Sequence, residues 1–231
     1  MTFAISARCP ETGKYGVAIS TRPMAVGARC PFIAPGLGVV VSMAYTDPRL
    51  GPLGLKLLAL GYSARKVLDE IAGSDPHVEY RQLSVIDRDG NAVARTGKHN
   101  RDWSGAFTEP NLVAMGNALV SERTVSAMFD SYRGAGTVSF EERLMRALEA
   151  GRDAGGQHGG QGSANLIVYS KQPYALVDLR VDEHAEPIGE LRRLHDLYAP
   201  QAEYYETRPW QPAVLGSEAD WAAAQSQRLT P

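Results

Sequence analysis

Thr2-Phe3-Ala4-Ile5-Ser6-Ala7, then Glu11-Thr12-Gly13-Lys14, then Val17-Ala18-Ile19-Ser20-Thr21: the reading of this opening stretch decides the fold. The two flanking runs are apolar and β-forming and the segment between them is turn chemistry, so the stretch predicts a hairpin. With the turn centred near Thr12, antiparallel pairing sets Thr2 beside Thr21 and Arg22. The end of the second strand therefore returns to the start of the chain. Thr2 follows the initiator methionine and is small enough for Met1 to be removed. Removal leaves one residue with a hydroxyl and a free α-amine, a nucleophile and a base together. An α-amine titrates near about 7.7–8.0, so its neutral fraction at cellular pH can take the hydroxyl proton without a histidine. An ordinary first-strand threonine is the competing reading.

Working outward, a valine-rich strand is expected over 37–44, followed by the turn Tyr45-Thr46-Asp47-Pro48 and a leucine-rich helix over 51–60. Ser63 is placed to cap a second helix through Ala72, with Val67, Leu68 and Ile71 on its apolar side. Asp89-Gly90-Asn91 between runs 82–87 and 92–96 is the clearest hairpin turn in the chain. A strand at 112–115, helices at 122–132 and 140–151, a hairpin of 164–169 with 174–181, and a charged helix at 187–198 complete the pattern. Strands and pairs of helices alternate in blocks, which suits an α+β sandwich with helices covering antiparallel sheets better than a βαβ dinucleotide fold. The compact domain is read as 1–199 and the remainder, 200–231, as an extended arm.

The chain has 231 residues, 44% hydrophobic and 22% charged, the composition of a globular protein with one substantial core. Its net charge of -2 supplies no general basic field, so neither nucleic acid nor an anionic membrane is expected as a partner. Cys9 and Cys30 lack metal spacing and the N-terminus lacks the layout of a signal peptide, so a cytoplasmic location is expected. No apolar run reaches the ~18–20 residues of a spanning helix. The five histidines are scattered, and no metal site is expected.

Several residues are candidates for the site. Asn117, after a predicted strand, could aim its amide N–H at a developing oxyanion, or merely stabilise a turn. Arg22 could depress the amine pKa and bind an anionic substrate group, or pair with a structural carboxylate. Tyr45, Thr46 and Asp47 could wall a pocket or form a plain β-turn. Asp178, Arg180, Asp182 and His184 alternate along the last strand, as a functional face or a structural ion-pair ladder. The run Gly155-Gly156-Gln157-His158-Gly159-Gly160-Gln161-Gly162 lacks the ending of a phosphate-binding loop and precedes a strand, so a flexible connection is expected there.

Taken together, Thr2 to Arg8, Tyr15-Gly16-Val17-Ala18-Ile19-Ser20-Thr21-Arg22, Ala25-Val26-Gly27-Ala28, Ala44-Tyr45-Thr46-Asp47-Pro48, Gly51-Pro52, Glu79-Tyr80-Arg81-Gln82, Thr96-Gly97, Gly116-Asn117, Ser163-Ala164 and Val177-Asp178-Leu179-Arg180-Val181-Asp182 resemble a bacterial family classed as Ntn-hydrolase-like, domain of unknown function 1028 (DUF1028). The resemblance runs from Thr2 to about Tyr198. It implies the four-layer αββα sandwich of N-terminal-nucleophile hydrolases, with Thr2 as nucleophile. Met43 departs from the pattern where Gln is usual, and the stretch around Gln157 to Gly160 lacks the expected acidic and arginine residues.

The expected activity is hydrolysis of a small linear amide, ureido or carbamoyl C–N bond, with no cofactor required. Thr2, Asn117 and Arg22 are the expected catalytic residues, and Tyr45, Asp47 and Asp182 the substrate-binding ones. The competing classes are a non-catalytic metabolite-binding or scaffold protein that keeps the same sandwich, and an enzyme working through Asp182 and His184. A homodimer is expected, because Tyr204, Tyr205, Trp210 and Trp221 lie beyond the probable core and interfaces favour such rings.

Overall fold

The computed structural model describes residues 1–228. The chain divides into two compact units, Met1–Leu191 and a second beginning at Arg192. The first unit is a mixed α/β structure with two antiparallel sheets. Its strands are β1 Thr2–Arg8, β2 Tyr15–Thr21, β3 Pro31–Ala34, β4 Gly38–Ala44, β5 Arg81–Asp87, β6 Ala92–Thr96, β7 Gly105–Glu109, β8 Leu112–Asn117, β9 Ser163–Tyr169 and β10 Ala175–Val181. Its helices are α1 Leu50–Ala59, α2 Ala64–Ser74, α3 Arg123–Gly134 and α4 Phe140–Asp153, and α5, Pro187–Tyr198, follows the last strand. The six-stranded sheet runs β10-β9-β2-β1-β8-β7 and the four-stranded sheet β3-β4-β5-β6.

The opening hairpin forms as expected, with Arg8 opposite Tyr15 and Thr2 opposite Thr21. On the other side of β1, Thr2 pairs with Asn117 of β8. One face of β1 joins the cluster shared with the other sheet and α3 and α4 pack on the strand, which explains why apolar residues occupy both of its faces. Alternation then sorts the side chains. Ala4, Val17, Ile19, Val113 and Met115 share one buried cluster with Val39, Val41, Met43 and Ile86 of the other sheet. A second cluster joins Leu50, Leu58, Val67, Leu68 and Ile71 of α1 and α2 to Val40, Leu83 and Val85, the opposite face of β4 and β5. Helix α4 packs on β1, β2 and β9, and α3 on β1, β7 and β8. Glycine permits the close approaches: a Cβ at Gly54 would lie 2.8 Å from Ile71 Cδ1 and 2.9 Å from Val40 Cγ2.

Local signals set the boundaries. Ser63 caps α2 as expected, and Asp87 does more than its sequence suggests. One oxygen accepts from Ala64 N at 2.8 Å, at the start of α2, while the other accepts from Asp89 N and Asn91 N at 3.0 Å each, shaping the hairpin turn. Two strands escape a sequence reading. β3 opens on a proline and pairs only with β4, and β7 carries few β-branched residues and pairs only with β8, so each is an edge strand with a weak signal.

The second unit differs from the expected extended arm. It continues from α5 into α6 Ala202–Thr207, α7 Pro212–Leu215 and α8 Glu218–Arg228. Of the prolines that suggested an extended chain, Pro200 and Pro212 stand at the beginnings of helical turns, where a missing N–H costs nothing, and Pro209 lies in the turn between α6 and α7. Within this unit Tyr198 stacks on Tyr205 at 5.8 Å, and Tyr204 lies 6.0 Å from Trp221. The unit boundary falls after Leu191 rather than after residue 199. Among the described residues no helix is long and apolar enough to cross a membrane.

Candidate functional site

Following the alternating positions of the inter-sheet layer toward one end, apolar residues give way to polar ones: Ala4 to Thr2, Ile19 to Thr21, Met115 to Asn117, and Ile86 through Ser84 to Gln82. Strand parity thus delivers four buried polar side chains to one end of the core. Thr2 Oγ1 lies 2.9 Å from Thr21 Oγ1, and Thr21 Oγ1 donates to the carbonyl of Met1 at 2.6 Å. Asn117 Nδ2 donates to Gln82 Oε1 at 3.0 Å. Gln82 Nε2 lies within hydrogen-bonding distance of Gly116 O at 2.8 Å, Thr96 Oγ1 at 3.0 Å and Gly105 O at 3.1 Å, three acceptors for two hydrogens.

A cavity of about 230 Å³ opens at this end. Met1 and Asn117 line it together with Ala44 at the end of β4 and Tyr45 after it, the segment His99, Asn100 and Arg101, and Ala118 after β8. Ala44 has φ 70° and Ala118 φ 52°, left-handed conformations that alanine seldom adopts, and such strain gathers at functional sites. The wall segment is held by Glu79, whose carboxylate accepts from Lys98 N at 2.9 Å and whose carbonyl accepts from His99 N at 2.9 Å. A Cβ at Gly97 would overlap the backbone of Glu79, which accounts for glycine there. Tyr45 and Tyr80 meet edge to face at 5.8 Å, and Tyr80 lies 4.6 Å from the His99 ring.

The α-amine of Met1 is held below its ordinary value, first by burial and then by the nearby Arg101 guanidinium, with Cys30 opposing. Burial pushes the Cys30 thiol up, so it stays protonated among its apolar neighbours.

The structure therefore brings Thr2, Asn117 and Tyr45 to this end of the core. Arg22 is exposed and not among the residues lining the cavity; its guanidinium lies where a Cβ on Gly159 would stand. Asp47 lies outside the cavity lining, bound to Arg49 through its side chain at 2.7–3.2 Å and through Arg49 N at 3.0 Å. Asp182 is exposed and receives Arg180 Nη2 at 3.3 Å. His184 Nδ1 instead accepts from Glu186 N at 3.0 Å. The glycine-rich connection is pinned: Gly162 N donates to Thr21 O at 2.8 Å, and Gly156 O accepts from Val120 N and Thr124 Oγ1. Gln82, Arg101 and His99 were not singled out as site residues from the sequence. Their signal lay in Glu79-Tyr80-Arg81-Gln82 and Thr96-Gly97, which hold the lining segment His99 to Arg101 from behind. Among the described residues no three His, Cys, Asp or Glu side chains gather where they could hold a metal ion.

The fold and site define a two-sheet α/β protein with a small polar cavity beside its first residues. The chain belongs to a family of unknown function, DUF1028, whose model matches residues 2–191. It is similar to protein SPO2555 from Silicibacter pomeroyi, of the same family, at 32% identity over 86% of this chain and 89% of that one, with a TM-score of 0.79. Far weaker likeness is found to a Gly-1 mutant of Anbu from Hyphomicrobium sp. strain MC1, at 13% identity, 88% and 97% coverage and a TM-score of 0.42. Anbu from Yersinia bercovieri, described as an ancestral β-subunit, is similar at 12% identity, 85% and 96% coverage and a TM-score of 0.39. No curated protein matches the chain.

Proposed function

We propose that the chain is an N-terminal-nucleophile hydrolase of the four-layer αββα class, cleaving a small linear amide, ureido or carbamoyl C–N bond with Thr2 after removal of Met1. One observation carries this reading: Met1 lines the cavity, and the buried Thr2 behind it pairs in the strand ladder with Asn117, which lines the same cavity. Removing Met1 would free the Thr2 nitrogen as an α-amine on the cavity side. The inter-sheet cluster and the helices packed against each sheet support the four-layer arrangement.

In the proposed reaction the Thr2 amine accepts the hydroxyl proton as Oγ1 attacks the substrate carbonyl. The C–N bond then breaks, the departing amine takes the proton, and an acyl-threonine ester remains. Water, deprotonated by the same amine, cleaves the ester and restores the hydroxyl. Asn117 has one Nδ2 hydrogen on Gln82, leaving the second for the oxyanion. No step requires a cofactor.

Intact mass and a Thr2→Ala variant test the proposal. The purified protein is expected to lack Met1, and Thr2→Ala to be folded and inactive against small amides. Retention of Met1 in hydrolytically active protein would sink it, as would undiminished hydrolysis by Thr2→Ala. A ligand that raises the melting temperature of both proteins while neither consumes it would favour a non-catalytic binding protein.

A further inference from the structure

Arg101 stands on the cavity wall, exposed, and among the described residues its guanidinium has neither an ion-pair nor a hydrogen-bond partner. Its backbone is nevertheless fixed, because Arg101 O accepts from Ala118 N at 3.0 Å, one residue past Asn117. The lining contains no carboxylate to neutralise it. The guanidinium is near enough to Met1 to depress the α-amine, so its field reaches the place where the Thr2 amine would emerge. Opposite chemistry completes the wall. Tyr45, 62% exposed, and His99 line the cavity with Arg101, and Tyr80 packs against both of their rings, so flat rings share the wall with a free cation.

Resting on the Thr2 reading, we infer that the substrate is a small amide carrying a carboxylate, that Arg101 is the residue that anchors this carboxylate, and that the Tyr45 and His99 rings, braced by Tyr80, cover a flat part of the same molecule. A planar guanidinium matches a carboxylate through two parallel N–H bonds, and the offset or edge-on rings suit a planar group. A cavity of about 230 Å³ accommodates a ligand of this class, whereas a polyphosphate would call for more cations than one arginine. The anion-holding role considered for Arg22 thus falls to a residue in the cavity wall.

Thr2→Ala protein, by calorimetry, separates binding from turnover. Hippurate and N-carbamoylglycine are compared with their neutral carboxamide counterparts. At least one carboxylate is expected to bind about tenfold or more tightly than its neutral counterpart, as an ion-assisted pair implies. Arg101→Gln should erase that preference and Arg101→Lys keep part of it. Equal binding of carboxylates and neutral amides would overturn the inference, as would no binding of either carboxylate, or loss of the preference in Arg22→Gln instead of Arg101→Gln. Consumption of ligand by Thr2→Ala would instead strike the Thr2 reading, and is recorded separately by product analysis.

Discussion

The hydroxyls of Thr2 and Thr21 are 2.9 Å apart, and the direction of the bond between them follows from their surroundings. Thr21 has one hydroxyl proton and donates it to the Met1 carbonyl, so in the pair Thr21 accepts and Thr2 donates. The Thr2 proton is thus already directed at a neighbouring oxygen while Met1 is in place. Thr21→Val keeps the shape and removes the acceptor. It is expected to lower stability by about 1–3 kcal/mol, because a buried donor loses its partner, with Thr21→Ser close to the parent. Urea denaturation measures this; identical midpoints for Thr21→Val and the parent would show that the pair contributes nothing.

Gln82 is fully buried and its side chain reaches four polar groups. Gln82→Leu should therefore cost about 1–3 kcal/mol or more, several buried groups being left unsatisfied. Asn117→Ala, if the amide serves the oxyanion, should reduce kcat about 100- to 1,000-fold. Turnover by a folded Asn117→Ala protein within a few-fold of the parent would move oxyanion stabilisation to other donors.

Asp47 offers a pH signature. The Arg49 guanidinium, aided by the Arg49 backbone N–H, holds its carboxyl down at about 2. A depressed carboxyl pKa contributes stability that is fully present above the unfolded value near about 3.9 and is lost as pH falls from there toward 2. Because the Arg49 side chain is 89% exposed, the contribution is on the order of 1 kcal/mol or less. Asp47→Asn should be slightly less stable than the parent at neutral pH and indistinguishable near pH 2. A gap that widens with acidification would contradict this.

The aromatic residues of the second unit bear on assembly. Trp210 is 62% exposed, and Tyr205 and Trp221 are half-buried within a helical segment rather than an extended one. A homodimer in solution is expected, with light scattering at several micromolar concentrations reporting twice the chain mass. Deletion after Tyr198 should weaken it if these rings form the interface. A full-length monomer throughout that range rejects the dimer; a dimer unaffected by the deletion rejects only the part assigned to the rings.

The sequence made the strand ladder readable because local chemistry and tertiary role coincide there. Turn residues at 11–14 and 89–91 fix two hairpins, and the first register places Thr2 opposite Thr21. Asn117 was legible as a residue ending a strand, but its pairing with Thr2 joins chain segments 115 residues apart, which no local periodicity encodes. Arg101 has no signal of its own: it is an exposed arginine in a loop, brought to the cavity by the Glu79 bonds that hold the neighbouring residues and by its own carbonyl accepting from Ala118 N. Asp47 is the opposite case. A carboxylate after a strand suggests a pocket, whereas an arginine two residues on claims it locally.

Aliphatic side chains packed between two sheets resist separation but oppose sliding only weakly, since one snug arrangement resembles the next. The Gln82 amide removes that ambiguity. From the four-stranded sheet it reaches Gly105, Gly116 and Asn117 of the other. A slip of one residue, about 3.4 Å, would break all of these bonds together. It acts as an alignment pin, and the mutational tolerance of the layer should be correspondingly uneven. Neighbouring valines can be exchanged and the core repacked around the change, whereas the offset that faces one sheet's loops toward the other's strand ends is held at this end by an uncharged side chain and at the far end by the bond from Asn111 N to Gly90 O.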